Sequence, residues 1–524
     1  MANRQLFASS RGRLPFVADT RNEAGGLAYA LSPKAALAQV AMTGSLGDAF
    51  YADAQTQLAT LLELAGQVEP EYLAKTAVLV RTRGYMKDTP ALLVAVLTLR
   101  SPDLARRAFE RVIDNGRMLR NFVQILRSGV LGRRSLGSAP KRLVQDWLAG
   151  RSVEQLMNDA VGQSPSLKDI LRMVHPRPVD PQREALYGWL LGRPVAADRL
   201  PEAVRAYEAF KAALLAGEDV ASLPAVNFQL LTALPLERRH WVEIARRAPW
   251  QTLRMNLNTY ARQGVFDGDG NGIARELAAR LRDPEAVGRS RVFPFQLLAT
   301  WRALDPKVPG VVREALQDAL ELALGNVPAI AGKVYVLPDL SGSMGALVTG
   351  FRQGATSQVT CRNAAGLLAV AILRGNPGAE VIGFDDRVWP LALNPRDSVT
   401  TNTEVLARTG GGGTATSLPL AWLNGRSARG DLVIYVSDNE SWMDSRKPGA
   451  TETLRQWEVF RGRNPGARLV CLDLQPYASS QAPGRGDILN IGGFSDAVFE
   501  VLGRFARGEY AGDHWVNAIE ATEL

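Results

Sequence analysis

The period of the apolar residues changes once along this chain, close to Pro328, and that change limits the fold more than any other feature of the 524 residues. From about Ser32 to Asn326 the spacing is helical. Leu104, Ala108 and Val112 recur in four-residue steps, and Leu119, Phe122, Val123 and Leu126 follow the i, i+3, i+4, i+7 pattern of a half-buried helix. A capping residue followed by proline marks helix starts at Thr89-Pro90, Ser101-Pro102, Asp283-Pro284 and Asp305-Pro306. Proline suits the first turn because its missing N–H has no partner there anyway. Helix after helix without a strand signal predicts stacked helix pairs of the solenoid kind. Beyond Pro328 the short β-rich runs "KVYVLPDLS", "AEVIGFDD", "DLVIYVSDNE" and "ARLVCLDL" alternate with helical stretches at 356–373, 418–425 and 451–463, and a helix at 496–507 closes the chain. Strands that are apolar throughout predict a parallel sheet covered on both faces, with its sites at the carboxyl ends of the strands.

The rhythm divides the chain into two domains, 1–330 and 331–524, and the charge divides with it. The chain has 61 basic and 53 acidic residues; 18 and 20 of these lie in 331–524, which leaves 43 and 33 before it. The first part thus carries about ten excess positive charges and the second is slightly acidic. A one-sided arginine excess points to a polyanionic partner, above all a nucleic acid. The longest apolar runs fall short of a membrane span, and the N-terminus has no apolar signal core. Cys361 and Cys471 lie far apart in apolar surroundings and read as reduced core thiols, so a cytoplasmic location is expected.

Three oxygen-rich strings stand out in the second part: "DLSGSM" from Asp339, "GGGGTATS" at 410–417 and "YVSDNES" at 435–441. Each follows a strand or precedes a helix. Together they can bring Asp339, Ser341, Ser343, a threonine (Thr414 or Thr416) and Asp438 to one point. Two carboxylates and three hydroxyls, with no Cys or His, suit Mg²⁺, with Ca²⁺ or Mn²⁺ as alternatives, and do not suit zinc. The pattern resembles the metal-ion-dependent adhesion site of a von Willebrand factor A domain. That resemblance implies metal binding through the hydroxyls of Ser341, Ser343 and Thr414, chosen over Thr416 because it follows the glycines directly. Asp339 and Asp438 would act directly or through water, and an acidic partner group would complete the shell. Catalysis is not expected: no histidine, P-loop lysine or G-x-S-x-G string accompanies the cluster. A second string, "DGDGNGIARE" at 267–276, has EF-hand spacing but places Ala278 where a bidentate Glu is needed.

The arginines of the first part cluster. Arg81, Arg83 and Lys87 flank Tyr85, and Arg133, Arg134, Lys141 and Arg142 follow fifty residues on. Such charges along a surface neutralise phosphates, and an interleaved aromatic adds base stacking. Lys168, Arg172 and His175 in "SLKDILRMVHPRP" recur at spacings of four and three, one helical face, and Pro176 ends the helix. With "VRTRGYMKDTPALLVAVL" and "RVFPFQLL", this string is similar to the Ro ribonucleoprotein family, and to its bacterial members in particular. Helical repeats of the TROVE module followed by a von Willebrand A domain are that family's order.

The resemblance implies a fold: an α-helical HEAT-like repeat ring plus an α/β (Rossmann-like) A domain. It implies a non-catalytic RNA-binding function, with small noncoding Y RNA on a basic outer face and single-stranded 3′ ends of misfolded or precursor RNAs in a central hole. A 3′-to-5′ exoribonuclease such as polynucleotide phosphorylase would be a partner of the monomer, and no membrane is involved. Lys168, Arg172 and His175 match the family's RNA-contacting helix. One departure is that "QLMNDAVGQS", just upstream, has no basic residue where the family carries more. Two other readings remain beside it: a metal-dependent protein adhesion module with no RNA role, and a nuclease.

Overall fold

The computed structural model describes residues 17–43, 46, 51–162, 164–220, 222–268, 272–292, 294–325, 329–348, 358–444, 449–493, 496–509 and 514–524. The chain divides into two compact units whose limits cross the 330/331 change of rhythm. The first comprises everything up to Val68, Phe293–Ala303 and Leu320–Ala521; the second comprises Glu69–Val292, Leu304–Ala319 and Thr522–Leu524.

The first unit is built on a six-stranded sheet. Its strands are β3 (Val334–Pro338), β4 (Glu380–Phe384), β5 (Val388–Leu391), β6 (Leu432–Ser437), β7 (Arg468–Asp473) and β9 (Ile488–Gly492), in the order β5-β4-β3-β6-β7-β9. All neighbours are parallel except the β4–β5 edge pair. β3, first in sequence, lies at the centre between β4 and β6. Such an order makes connections leave in opposite directions, and a crevice opens at the carboxyl ends of the two central strands. Asp339 follows β3 and Asp438 follows β6 at that crevice. The short strands β1 (Thr20–Arg21) and β2 (Leu27–Ala30) form a hairpin whose β2 pairs antiparallel with β8 (Ser479–Ser480). This pairing carries Tyr29 into the apolar core on one sheet face, beside Tyr335, Tyr435, Trp457 and Phe460. Trp457 and Phe460 stack there with ring centres 5.7 Å apart.

The second unit is a run of helices from Pro70–Thr82 to Pro284–Ser290, together with Gly310 to Ala319 of the helix Gly310–Ala323. The expected stripes are buried: Ala108 and Val112 in one helix, and Leu119, Phe122, Val123 and Leu126 in the next. Phe109 and Phe122 meet edge to face at 5.0 Å between these helices. The far end of the unit meets its beginning, for Arg291 Nη1 donates to the Tyr85 hydroxyl at 2.9 Å.

The proline signals are obeyed unevenly. Asp283 caps its helix by accepting from Ala286 N–H at 2.6 Å. Ser101 is the cap residue of Pro102–Val112 but makes no side-chain cap bond. Thr89 and Pro90 lie within the first turn of Asp88–Arg100, whose cap position is Lys87. No helix begins at Asp305: its carboxylate accepts from Lys307 N–H, 2.9 Å, and the helix starts at Gly310. An aspartate two residues before a free N–H closes a turn as readily as it caps a helix. Around the sheet the expected helices are Cys361–Gly375, Leu418–Gly425, Glu452–Arg463 and Asp496–Ala506, close to expectation. Residues 356 and 357 of the expected first helix lie outside the described residues. Val399–Ala407 adds a helix between β5 and the glycine loop, and His514–Glu520 follows the helix expected to be last. Cys361 and Cys471 are buried free thiols. Of the string at 267–276, residues 269–271 lie outside the described residues; the carbonyl of Asp267 accepts from Arg238. Among the described residues no helix is long and apolar enough to cross a membrane.

Candidate functional site

The first unit gathers the predicted oxygens at the crevice. Asp339 continues the β3–β6 ladder through its N–H to Val436 O, 2.9 Å. Its carboxylate accepts from Ser341 N–H at 2.8 Å and from the Ser437 hydroxyl at 2.7 Å. The aspartate therefore folds its own loop and leaves two serines facing the crevice, with Ser341 Oγ 3.2 Å from Ser343 Oγ. Asp438 is hydrogen-bonded to Ser343 and accepts from Glu440 N–H at 3.2 Å. Gly342 N–H donates to Gly412 O at 2.9 Å, which ties the D-x-S-x-S loop to the glycine loop. Asp339, Ser341, Ser343, Thr414 and Asp438 are all buried.

Glycine at 412 and 413 has a steric cause. A Cβ on Gly412 would meet the Asp386 carboxylate at 2.7 Å, and one on Gly413 would meet Met443 Sδ at 2.2 Å. The close approach puts Thr414 O within 3.2 Å of Trp442 N–H and 3.0 Å of Met443 N–H. The two candidate threonines differ. The Thr416 hydroxyl is held by Thr453 Oγ1 at 2.6 Å and Asp444 Oδ2 at 3.2 Å. Among the described residues no such side-chain bond engages the Thr414 hydroxyl.

The electrostatics of the crevice are unusual. Burial, reinforced by Asp438, holds the Asp339 carboxyl well above the ordinary range. Burial likewise raises Asp438. It pushes Asp473, at the end of β7, up to about 8 and Glu440 up to about 9. Carboxylates removed from water resist ionising unless a positive charge is near. Among the described residues, no three His, Cys, Asp or Glu side chains come together as a metal set on their own. Any ion here must use the hydroxyls. Buried hydroxyls beside two carboxylates in want of a counter-charge are a donor set that fits a hard divalent cation.

Four supports of this site lie outside the three oxygen-rich strings. Tyr51 is hydrogen-bonded to Ser343 and pushed up to about 12 by burial and the nearby carboxylates; its ring meets Tyr477 edge to face at 6.5 Å. The β1–β2 hairpin clasps the loop after β6, through Ala24 N–H to Glu440 Oε2 at 2.9 Å and Asn22 Nδ2 to Ser441 O at 2.9 Å. Asp385, after β4, accepts from Gly412 N–H at 3.1 Å and Trp389 Nε1 at 2.9 Å. Asp473 accepts from Asn439 Nδ2 at 3.1 Å. Asp385 and Asp473 end strands, a signal that could have been used; Tyr51 and the hairpin carry none.

In the second unit the predicted basic residues fall into two groups. The helix Leu167–Val174 begins with a reciprocal Ser166/Asp169 cap and buries Leu167, Ile170, Leu171 and Val174. Its other side presents half-buried Lys168 and exposed Arg172 and His175. His175 ends the helix in the left-handed conformation, φ 49°, which turns the chain toward Pro176. Arg83, Arg134 and Arg142 are exposed as well, as is Lys87, and Lys141 is half-buried. Two others are committed to the fold. Arg81 grips Asp114 through Nε and Nη2, the nearest contact being 2.7 Å, with 13% of its side chain exposed. Arg133 donates to Thr98 Oγ1 at 2.6 Å, and burial lowers its pKa. Arg106, Arg107, Arg117 and Arg127 are exposed and have no ion-pair partner among the described residues.

A parallel sheet with D-x-S-x-S at its switch point, in a chain that also holds a long helical array, defines an A-domain protein with helical repeats. A family model described as the Ro60 vWA domain matches residues 333–506. The RNA-binding protein RO60 of Deinococcus radiodurans is 30% identical over 525 residues, 93% of this chain and 95% of its own. The RNA-binding protein RO60 of Caenorhabditis elegans is 26% identical over 246 residues, 44% of this chain and 36% of its own. The chain belongs to the Ro60 family. A crystal structure of the Deinococcus radiodurans Ro (RSR) protein shares the fold with TM-score 0.62 at 23% identity, covering 91% of this chain and all of that one.

Proposed function

We propose that this chain is a non-catalytic RNA-binding protein of RNA quality control and maturation. The observation that carries this reading is the helix Leu167–Val174, which buries four apolar side chains and turns Lys168, Arg172 and His175 outward in the strongly basic part of the chain. The relatives named as RNA-binding proteins support it. They do not favour an adhesion module without RNA. Lysine and arginine would neutralise phosphates, so affinity should fall by about 0.7–0.9 log units per contact for each decade of salt.

In this reading small Y RNA lies on the basic face around Lys168, Arg172 and His175. Arg83, Lys87, Arg134, Lys141 and Arg142 add phosphate contacts, while Arg81 and Arg133 act mainly by bracing the helices that carry them. Single-stranded 3′ ends of misfolded or precursor RNAs occupy a central opening. The chain acts in the cytoplasm as a monomeric adaptor for a 3′-to-5′ exoribonuclease such as polynucleotide phosphorylase. Asp339, Ser341, Ser343, Thr414 and Asp438 hold a divalent cation, Mg²⁺ before Ca²⁺ or Mn²⁺, which supplies a Lewis-acid position for an acidic partner group. Thr414 is preferred because the Thr416 hydroxyl is already engaged by Thr453 and Asp444.

The test is to purify the chain from its own cells without nuclease and sequence what accompanies it. Structured small RNA and RNA with frayed 3′ ends are expected. A preparation free of RNA, together with salt-independent binding of a structured RNA in filter assays, would sink the reading.

A further inference from the structure

Apart from the basic helix, the second unit contains a cavity of about 470 Å³ lined by Met157, Leu231, Ile244, Phe228 and a set of polar side chains. Met157, Leu231 and Ile244 are buried and give it an apolar floor. Phe228 is half-buried on its wall. Three carboxamides line the same cavity: Asn158, Asn227 and Gln229. Asn227 Oδ1 accepts from Gln229 N–H at 3.0 Å, and its amide N–H₂ has no hydrogen-bond partner among the described residues. Neither Asn158 nor Gln229 has a side-chain hydrogen bond among the described residues. Glu154 also lines the cavity; its bonds with its own N–H and the Ser152 hydroxyl hold its carboxyl below the usual range, so it is an ionised acceptor.

We propose that this cavity is a subsite for one unstacked nucleobase of single-stranded RNA, with preference for a base that carries an exocyclic amine (adenine, cytosine or guanine) over uracil. The proposal rests on the RNA-binding reading above and gives it a base-reading element. A flat heterocycle needs an apolar floor, an aromatic ring to stack against, and edge groups that both donate and accept. Phe228 supplies the ring, and stacking is tolerant of base identity. Carboxamides supply both kinds of edge group, and unpaired bases are read on their edges in this way. The Glu154 carboxylate accepts only, so it matches an amine and opposes the carbonyl of uracil at the same edge. Arg247, also on the lining, pairs with Glu243 at 2.6 Å and donates to Leu223 O at 3.2 Å, with its side chain about half exposed.

The test is saturation-transfer NMR on the full chain with AMP, CMP and UMP, beside filter binding of a structured RNA. AMP and CMP should receive saturation and UMP much less. Phe228→Ala and Gln229→Ala should each weaken AMP about tenfold, consistent with the loss of one stacking or edge contact. Gln229 is exposed, so its variant keeps the test open if the phenylalanine variant folds poorly. Equal binding of all three nucleotides, or AMP binding unchanged in both variants, would overturn the subsite. A chain that binds structured RNA but no mononucleotide overturns it too and leaves the RNA reading intact. A chain that binds AMP in the cavity but no RNA overturns that reading instead.

Discussion

The oxygen cluster of the first unit and the basic helix of the second are built on opposite plans. In the cluster, each chemical group is buried and most are hydrogen-bonded to a neighbour: Asp339 to Ser341 and Ser437, Asp438 to Ser343, Thr416 to Thr453. On the helix Leu167–Val174, Arg172 and His175 stand in solvent. A buried polar set is costly unless complete, so its geometry is fixed before any ligand arrives. Exposed charges cost little to hold and act as a sum, so no single one need be placed accurately. The first plan suits one small ion, and the second suits a long polyanion.

Charge reversal should separate the two plans most sharply. Lys168→Glu with Arg172→Glu is expected to weaken a structured RNA about a hundredfold at low salt and to flatten the salt dependence by about 1.5 log units per decade. Thermal stability should hold. Filter binding at several salt concentrations reads the slope, and an unchanged slope would place the RNA elsewhere.

Next in size is the response to a divalent cation. Saturating Mg²⁺ should raise the melting temperature of the native chain by several degrees, since a ligand at a hundred times its Kd stabilises by about 2.7 kcal/mol. Asp339→Asn should abolish that gain while leaving RNA affinity within about twofold. A gain that survives in Asp339→Asn would put the ion at another site.

The pH trend is smaller, and its sign is set by burial. Asp473 and Glu440 hold protons up to about 8 and about 9 in the folded chain, whereas unfolded carboxyls ionise near 4. Between those limits the folded state binds more protons, so stability is full below about 4 and falls as pH rises toward 9. Calorimetry in chelator from pH 6 to 9 should show a falling melting temperature, and Mg²⁺ should flatten the fall. A rising trend would contradict the burial of these groups.

The smallest effect tests the division among the arginines. Arg81→Ala should cost about 1 kcal/mol of stability through its half-exposed Asp114 partner, with RNA affinity changed less than twofold. Arg83→Ala, at an exposed position, should do the reverse. Denaturant unfolding and filter binding on both variants decide this.

How far the sequence reached depended on the range of the interaction. Strand ends were legible because β3 and β6 are short, wholly buried runs followed directly by aspartates. The face carrying Lys168, Arg172 and His175 was legible because 3.6-residue geometry puts them on one side whatever surrounds the helix. Asp305-Pro306 misled because an Asx turn and a helix cap share the same local bond. Arg81 and Arg133 read as surface charges because their partners, Asp114 and Thr98, lie more than thirty residues away.

The sequence alone determined the two rhythms, the one-sided charge, and the oxygen donors carried on strand ends, since each depends on contacts within a turn or a strand. Tertiary structure alone decided that the N-terminal hairpin clasps the loop after β6, that Tyr51 reaches Ser343 from almost three hundred residues away, and that Asn158 lines one cavity with the distant pair Asn227 and Gln229. Those pairings arise when distant surfaces leave water together. No local spacing encodes which surfaces will meet.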